Sequence, residues 1–313
     1  MSGAPLERAS AFAPASVGNV AIGFDILGFA IDTLGDRVTV TRRETPGVEI
    51  AAVRGVAEEV PLEASDNTAG RALLALQDAV RPRFGFRVEI DKGIPLGSGL
   101  GGSAASAVGA VVAANALLPQ PLSRLELLQF AMAGEALASG ARHADNIAPC
   151  LFGGLALTVG IDHPRVKQIP VPAAIRAVIV HPHMFLATAK ARAILKLSVE
   201  LSDFVWQTAN LAGFISGCYT DDLDMIRASL EDVVIEPQRQ ALIPGFRDVR
   251  GAAMGAGALG CSISGAGPAM FAWALEESAP AVLGAMQHEF EARGLTSNGW
   301  IVDMRRTGAR VIE

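Results

Sequence analysis

"GIPLGSGLGGSAASAVGAVVAANALL", residues 93–118, sets a glycine-rich loop directly before an alanine-rich segment of helical character. Between Gly97 and Ser103 the loop spends four glycines and two serines. A Walker-type loop would place a lysine before its final hydroxyl residue, but no lysine stands in this loop and Ala104 follows Ser103. The spacing of Gly97, Gly99 and Gly102 reads literally as G-x-G-x-x-G. A dinucleotide loop, however, follows a continuously apolar strand near the start of its domain, with an acidic residue some 20 positions on. Here the preceding strand candidate, "FRVEID" (86–91), alternates, and the nearest acid, Glu126, already belongs to the next helix. What remains is a loop whose backbone N–H groups, together with the start of a helix at Ser103, form an anion cradle. A tight turn feeding a closely packed helix, with Ala104, Ala105, Ala107 and Gly109 kept small for packing, is the structural alternative.

The surrounding composition narrows the setting. The chain has 313 residues, long for one core and comfortable for two packed domains. Half of its residues are hydrophobic and 19% are charged, so a well-buried interior is expected. A net charge of −6, no basic block and a single tyrosine argue against nucleic acid and against an anionic membrane surface as partners. The most apolar run, 104–118, is too short to span a bilayer. "MSGAPLERAS" has no apolar signal core, and Cys150, Cys218 and Cys261 sit inside apolar segments as small reduced residues. The expectation is a cytoplasmic protein.

The chain reads as mixed α and β. "DRVTVTRR" (36–43) and "FRVEID" alternate as half-buried strands do, and "GGLALTVG" (153–160) reads as another. "SRLELLQFAMAGEALA" opens with Ser123 as N-cap and Glu126 three residues later. Pro170 and Pro172 punctuate the chain before a buried strand at 175–180, which sets the domain border near residue 170. Beyond it come helices at 188–197, 203–219 and 221–230, strands at 261–264 and 269–275, and a helix at 278–293.

Two further segments bear on the loop. "APASVGNVAIGFDILGFAI" (13–31) and "SISGAGPAMFAW" (262–273) flank "PLGSGLGGSAAS", and in order and spacing the three resemble the motifs of the GHMP kinases. These are small-molecule ATP-dependent kinases with galactose, homoserine, mevalonate and phosphomevalonate as substrates. The tracts "SGARHADNIAPCLFGG", "LATAKARAIL", "NLAGFISGCY" and "EPQRQALIPGF" extend the likeness to the homoserine branch, from about residue 11 to about 300. The resemblance implies an α+β, two-domain fold. A ribosomal-protein-like βαβ domain over 1–170 would bind ATP, a ferredoxin-like domain would follow over 171–313, and the substrates would meet between them. It implies transfer of the γ-phosphoryl group of MgATP to L-homoserine, in threonine biosynthesis, by a homodimer.

Site residues follow from the residues and the resemblance together. Asn19 and Asp25 lie in a glycine-bounded segment where an Asx-turn pair is the local alternative; in the family the matching residues hold the amino-acid substrate. Thr188 and Arg192 are four apart and share a helix face. Arg192 and Arg239 offer planar forks for a carboxylate, although a lone arginine is by default a surface ion-pair partner. His143, Asp145 and Asn146 form a polar burst between apolar segments. In the family they line the homoserine pocket, with the asparagine, as a catalytic residue, near the substrate hydroxyl. H-x-D also suggests a metal, but no second histidine stands at ligand spacing. Glu135, a lone carboxylate among small residues, and the Ser103 hydroxyl are the candidate catalytic pair and ligands of Mg²⁺. The resemblance assigns ATP binding to Pro95, Leu96, Gly97, Ser98, Gly99, Leu100, Gly101, Gly102, Ser103, Ala104 and Ala105. Asn67 is a nucleotide candidate and equally a helix cap. Ser264–Pro268 should pack against the first motif and shape the cleft floor. The chain departs from the family at Gly102 and Ala187, where serine is common, and at Lys190, where glutamate is.

Overall fold

The computed structural model describes residues 6–57, 59–139, 143–160, 162–304 and 307–313. Its N-terminal part is a sheet of β1 (Arg8–Gly18), β2 (Leu27–Arg43), β3 (Val48–Gly55), β4 (Gly85–Lys92), β5 (Leu155–Val159) and β6 (Arg165–Ile169). The long hairpin of β1 and β2 pairs from Arg8↔Thr41 to Gly18↔Gly28, with its register shift between Pro14 and Ala15. Proline cannot donate to a ladder, so the irregularity falls where the donor is missing. β3 runs parallel to β4, and the crossover between them is α1 (Thr68–Val80).

α2 (Gly102–Leu117) lies against β1 and β2, flanked by α1 and by α3 (Arg124–Ser139). It is apolar all round, the pattern of a helix enclosed on every side. A Cβ at Gly109 would come within 2.7 Å of Val38, so the small residues of this helix do set its distance from the sheet. α3 opens with the expected capping box: the Ser123 amide and hydroxyl both donate to Glu126 Oε2 at 2.7 Å. α4 (Ile147–Phe152) then leads into β5.

The second sheet contains β7 (Ile175–Pro182), β8 (Ala258–Ile263), β9 (Met270–Leu275) and β10 (Ser297–Val302), in the spatial order β10-β7-β9-β8 with every pair antiparallel. Between β7 and β8 come α5 (Thr188–Ala193), α6 (Leu201–Thr220), α7 (Leu223–Ser229), α8 (Glu236–Arg239) and α9 (Phe246–Gly255); α10 (Ala279–Glu291) joins β9 to β10. Helix α9 packs on β8 and α10 on β7, which gives the β-α-β-β-α-β order of a ferredoxin-like layer. The chain then returns to the first sheet, where β11 (Arg310–Val311) pairs with β1. The two sheets share one core. Phe29 of β2 meets Phe271 and Trp273 of β9 edge-on, and Phe214 of α6 covers Trp273 at 5.0 Å. Each such fully buried ring stabilises the fold by about 1.5–3 kcal/mol.

Several boundaries differ from the sequence expectation. β1 was not expected, because its alanines and serines lack the β-branched signature; it is built from small residues that let α2 approach. β3, β6 and β10 were likewise missed. α5 ends at Ala193 rather than 197, where the chain becomes exposed at Ile194 and Leu197. α7 starts at Leu223 because Asp222 caps it, accepting from the Met225 amide at 2.9 Å. Cys150, Cys218 and Cys261 are buried free thiols. No helix among the described residues is long and apolar enough to cross a membrane.

One buried ion pair sits directly under the glycine-rich loop. Lys92 at the end of β4 donates to Asp36, to Gly102 O at 2.8 Å and to Ser106 Oγ at 2.9 Å. Asp36 also accepts from Ser106 Oγ and the Gly93 amide. Removing one member of such a pair strands the other charge. Lys92→Met should therefore lower stability in urea by about 3–5 kcal/mol, with part regained in Lys92→Met/Asp36→Asn; equal loss in both would show that the ion pair does not matter.

Candidate active site

The loop between β4 and α2 turns through three left-handed glycines, Gly97, Gly99 and Gly101. A Cβ at Gly99 would lie 2.6 Å from Ser264 O and 2.7 Å from Gly267 O. Ser264 Oγ donates to Gly99 O at 2.7 Å, and the Ala269 amide donates to Ser98 O at 3.0 Å. The third motif thus packs on the loop as well as on the first motif, where the Gly265 amide reaches Gly18 O at 3.1 Å. The first intrahelical bond of α2 runs from the Ala105 amide to Gly101 O. The amides of Gly102, Ser103 and Ala104 therefore have no carbonyl four residues back within the helix and stand at its positive end.

This end of α2 borders a cleft of about 360 Å³. From the loop, Pro95–Gly99 and Gly101–Ser103 line it, whereas Leu100, Ala104 and Ala105 are buried beneath. Glu135 faces the same corner from α3. Burial pushes its carboxyl up to about 7, against the opposing pull of a hydrogen bond from Ser103. Asn67 lies outside the lining. Its side-chain oxygen caps α1 through the Ala69 and Gly70 amides, and its nitrogen donates to Pro61 O. Of the two roles left open for it, capping is the one its contacts fill.

The other end of the cleft carries the polar residues singled out from sequence. The β1–β2 connection holds Asn19, Val20, Ala21 and Asp25 at positive φ, a concentration of strain that a β-branched residue at φ 45° makes plain. Asn19 ties this connection together, accepting from the Asp25 amide at 3.1 Å and donating to Gly265 O at 2.8 Å. The Asp25 carboxylate turns outward to Arg192, with Nη2 to Oδ1 at 2.6 Å. Thr188 lines the cleft one helical turn before Arg192. Arg239, 4% exposed, donates to two backbone carbonyls, Ala191 O at 3.0 Å and Gly265 O at 3.1 Å. Its forked charge has no bonded carboxylate among the described residues. Burial and the neighbouring Arg192 both pull its pKa down, but arginine stays protonated.

His143, Asp145 and Asn146 reach the cleft from the segment before α4. His143 Nδ1 lies 3.0 Å from Asp145 Oδ1, and its Nε2 is buried without a hydrogen-bond partner. Burial lowers the imidazole pKa, but the Asp145 hydrogen bond and charge outweigh it and the net direction is up. Asn146 donates to Asp145 Oδ2 and accepts from Ser16 Oγ at 3.0 Å. Gly28 makes this approach possible, since a Cβ there would fall 1.8 Å from Asp145 O. Asp25, His143 and Asp145 place ligand atoms within 4.8 Å of one another, the one possible metal group among the described residues, although Arg192 already engages Asp25.

Sequence reasoning missed Phe24. Its ring centroid lies 5.3 Å from the Arg192 guanidinium carbon and 5.2 Å from that of Arg239, so one aromatic ring supports both cations. The signal was available in "GFDILG", directly beside Asp25. Also missed were Phe185, which lines the loop end, and Lys92, which bonds to the loop from behind without lining the cleft. The departure at Ala187 lies in the lining; Lys190 does not.

The cleft thus joins a helix end rich in free amides to a pocket with carboxylates and arginines side by side. Comparison with known proteins agrees with that geometry. The pattern described as GHMP kinases N terminal domain matches residues 67–154, and that described as GHMP kinases C terminal matches 214–292. A homoserine kinase of Xylella fastidiosa is 51% identical, over 98% of this chain and 94% of the relative. One of Chlorobium phaeovibrioides is 41% identical, over 98% of this chain and 100% of the relative. A crystal structure of homoserine kinase from Cytophaga hutchinsonii superposes with a TM-score of 0.95 at 42% identity, covering 100% of this chain and 99% of that one. The chain belongs to the GHMP kinase family.

Proposed function

We propose that this protein is a homoserine kinase, transferring the γ-phosphoryl group of ATP to the hydroxyl of L-homoserine to give O-phospho-L-homoserine and ADP, a step of threonine biosynthesis. One observation carries the choice of substrate within the family: the pocket beside the amide-lined helix end pairs carboxylates with arginines. Asp25 and Asp145 suit an ammonium group, and Arg192 and Arg239 suit a carboxylate. An amino-acid zwitterion offers a charge to each kind of group, whereas a sugar or a hydroxy acid without an amine brings no cation to Asp25, paired here with Arg192, or to Asp145, paired with His143 and Asn146.

Phosphoryl transfer depends mainly on positioning and charge stabilisation. The amides of the 97–104 turn cradle the triphosphate, with the positive end of α2 behind them. Glu135 and the Ser103 hydroxyl are hard oxygen donors in a buried corner beside that turn, a donor set that fits Mg²⁺. Bound there with the nucleotide, the cation supplies neutralisation of phosphate charge. Asn146, oriented by Ser16 and Asp145, aligns the substrate hydroxyl. Asp25 is committed to Arg192 and acts in binding rather than as a base. The assignment to the cytoplasm rests on the three buried free thiols and on a cytosolic co-substrate. We infer a homodimer from the exposed apolar face of α6, where Leu201, Phe204 and Val205 follow helical spacing; sedimentation as a monomer would contradict it.

A panel of homoserine, mevalonate and galactose with MgATP, followed by ADP release, tests the assignment; turnover of a non-amino-acid alcohol equal to that of homoserine would overturn it. Arg192→Ala should raise the homoserine KM by roughly 10–100-fold with little change in kcat, since it removes binding made in the ground state. Ser103→Ala and Glu135→Ala should instead depress kcat by about 100-fold while homoserine affinity stays near normal. Because burial pushes the Glu135 carboxyl up to about 7, its proton competes with a bound cation as pH falls. Calorimetry should show MgADP affinity falling as pH drops from 8 to 6, with proton release, and both effects reduced in Glu135→Gln to what the nucleotide's own phosphate contributes.

A further inference from the structure

The two arginines of the cleft are held differently. Arg192 is tied to a carboxylate, whereas Arg239 bonds only to backbone carbonyls and ends a four-residue helix, α8. A single turn cannot fix its own position, because nucleating a helix costs more than its few hydrogen bonds return. The fixing groups lie behind it. Asp232 accepts from the amides of Val234, Ile235 and Glu236 at 2.8–2.9 Å, capping the turn from which α8 starts. Glu236, the first residue of α8, is a buried carboxylate that accepts a hydrogen bond from Ser262 Oγ on β8. Its other oxygen stands 3.7 Å from Arg250 Nε on α9. A cavity of about 10 Å³, the size of one water, is bordered by Glu236, Asp232, Ser262, Asn19 and Arg239. Phosphoryl transfer as described above uses neither Glu236 nor Ser262.

We propose that Glu236 is a positioning residue for Arg239: its carboxylate fastens α8 to β8 through Ser262 and to α9 through Arg250, and so sets where the Arg239 fork enters the cleft. The proposal rests on the reading that Arg239 receives the substrate carboxylate. A buried carboxylate facing a half-buried arginine is costly to keep, which argues for a task beyond packing. Burial pushes Glu236 up to about 7, with Ser262 and Arg250 opposing the rise and Asp232 and Glu231 adding to it. The groups facing it are thus Ser262 and Cys261 from β8, Arg250 from α9, Asp232 and Glu231 from the loop before α8, and Arg239 from α8 itself. The ionised form attracts Arg250, whose Nε also donates to Cys261 O at 3.3 Å; on protonation that attraction is lost, Arg250 keeps only its backbone bond and its pairing with Glu231, and the brace slackens.

The test compares kcat, homoserine KM and ATP KM from pH 6 to 8.5 in the wild type, Glu236→Ala, Glu236→Gln and Ser262→Ala, with Arg239→Ala as a reference. Glu236→Ala should raise the homoserine KM by about 10-fold while kcat and ATP KM stay within about twofold. Wild-type homoserine KM should rise as pH falls through 7. Glu236→Gln, which still accepts from Ser262 but cannot ionise, should lose the Glu236 part of the pH dependence, keep only the part that His143 contributes, and lie near the wild-type's acidic value, and Ser262→Ala should be intermediate between wild type and Glu236→Ala. Should Glu236→Ala fail to fold, the last two variants carry the test. A homoserine KM unmoved in the folded variants, a Glu236→Gln profile that tracks the wild type, or equal losses in kcat and ATP KM would overturn the brace alone. An unchanged homoserine KM in Arg239→Ala would instead remove the carboxylate assignment, and the proposal with it.

Discussion

Backbone packed on backbone at Gly99 is the contact on which the site depends. The loop before α2, the end of β1 and the β8–β9 turn meet there with no side chain between Gly99 and the Ser264–Gly267 carbonyls. Three hydrogen bonds bind the junction: Ser264 Oγ to Gly99 O, the Ala269 amide to Ser98 O, and the Gly265 amide to Gly18 O. Segments some 80 to 250 residues apart in the chain are thereby held within one hydrogen-bond length. The end of β1 leads to Asn19 and Asp25, the loop before α2 to the helix end, and the β8–β9 turn carries the carbonyl of Gly265 that anchors both Asn19 and Arg239. The three motifs are recognisable together because they form one physical object.

From that junction the electrostatics divide the cleft. One end offers amide dipoles and a buried carboxylate beside a hydroxyl, and suits a polyanion with its cation. The other sets Asp25 and Asp145 beside Arg192 and Arg239, opposite charges in one pocket. The Phe24 ring lies within cation–π distance of both guanidinium groups and helps to hold two like charges close together. Lys92 lies beneath the loop with its donors taken by Asp36, Gly102 and Ser106, so its charge holds the start of α2 in place from behind.

Much of this was legible in the sequence, for identifiable reasons. The glycine loop was readable because few side chains tolerate left-handed turns in succession, and the Ser123 capping box because its two residues bond to each other locally. Polar residues in apolar company, Glu135 and the His143–Asn146 burst, announced themselves by the cost of burying them. Elements that owe their existence to distant partners were not readable. β1 is a strand because α2 and β2 cover it, not because alanine and serine favour extension. Phe24 looks like any core aromatic until two arginines converge on it from residues 192 and 239. Asn67 carried two equal readings in sequence, and only the positions of the Ala69 and Gly70 amides distinguish them. Glu236 was hidden for the same reason, its partners being 14 and 26 residues away on separate elements.

In the proposed reaction, peptide amides of the 97–104 turn, with Glu135 and Ser103, grip a triphosphate without a side-chain ammonium. A crystal structure with a non-hydrolysable ATP analogue, a divalent cation and homoserine tests it most directly. The account predicts phosphate oxygens on the amides at the start of α2, the cation against Glu135 and Ser103, and the Lys92 ammonium still bound to Asp36. A triphosphate lodged away from that turn, or a Lys92 that has left Asp36 to meet it, would contradict the account.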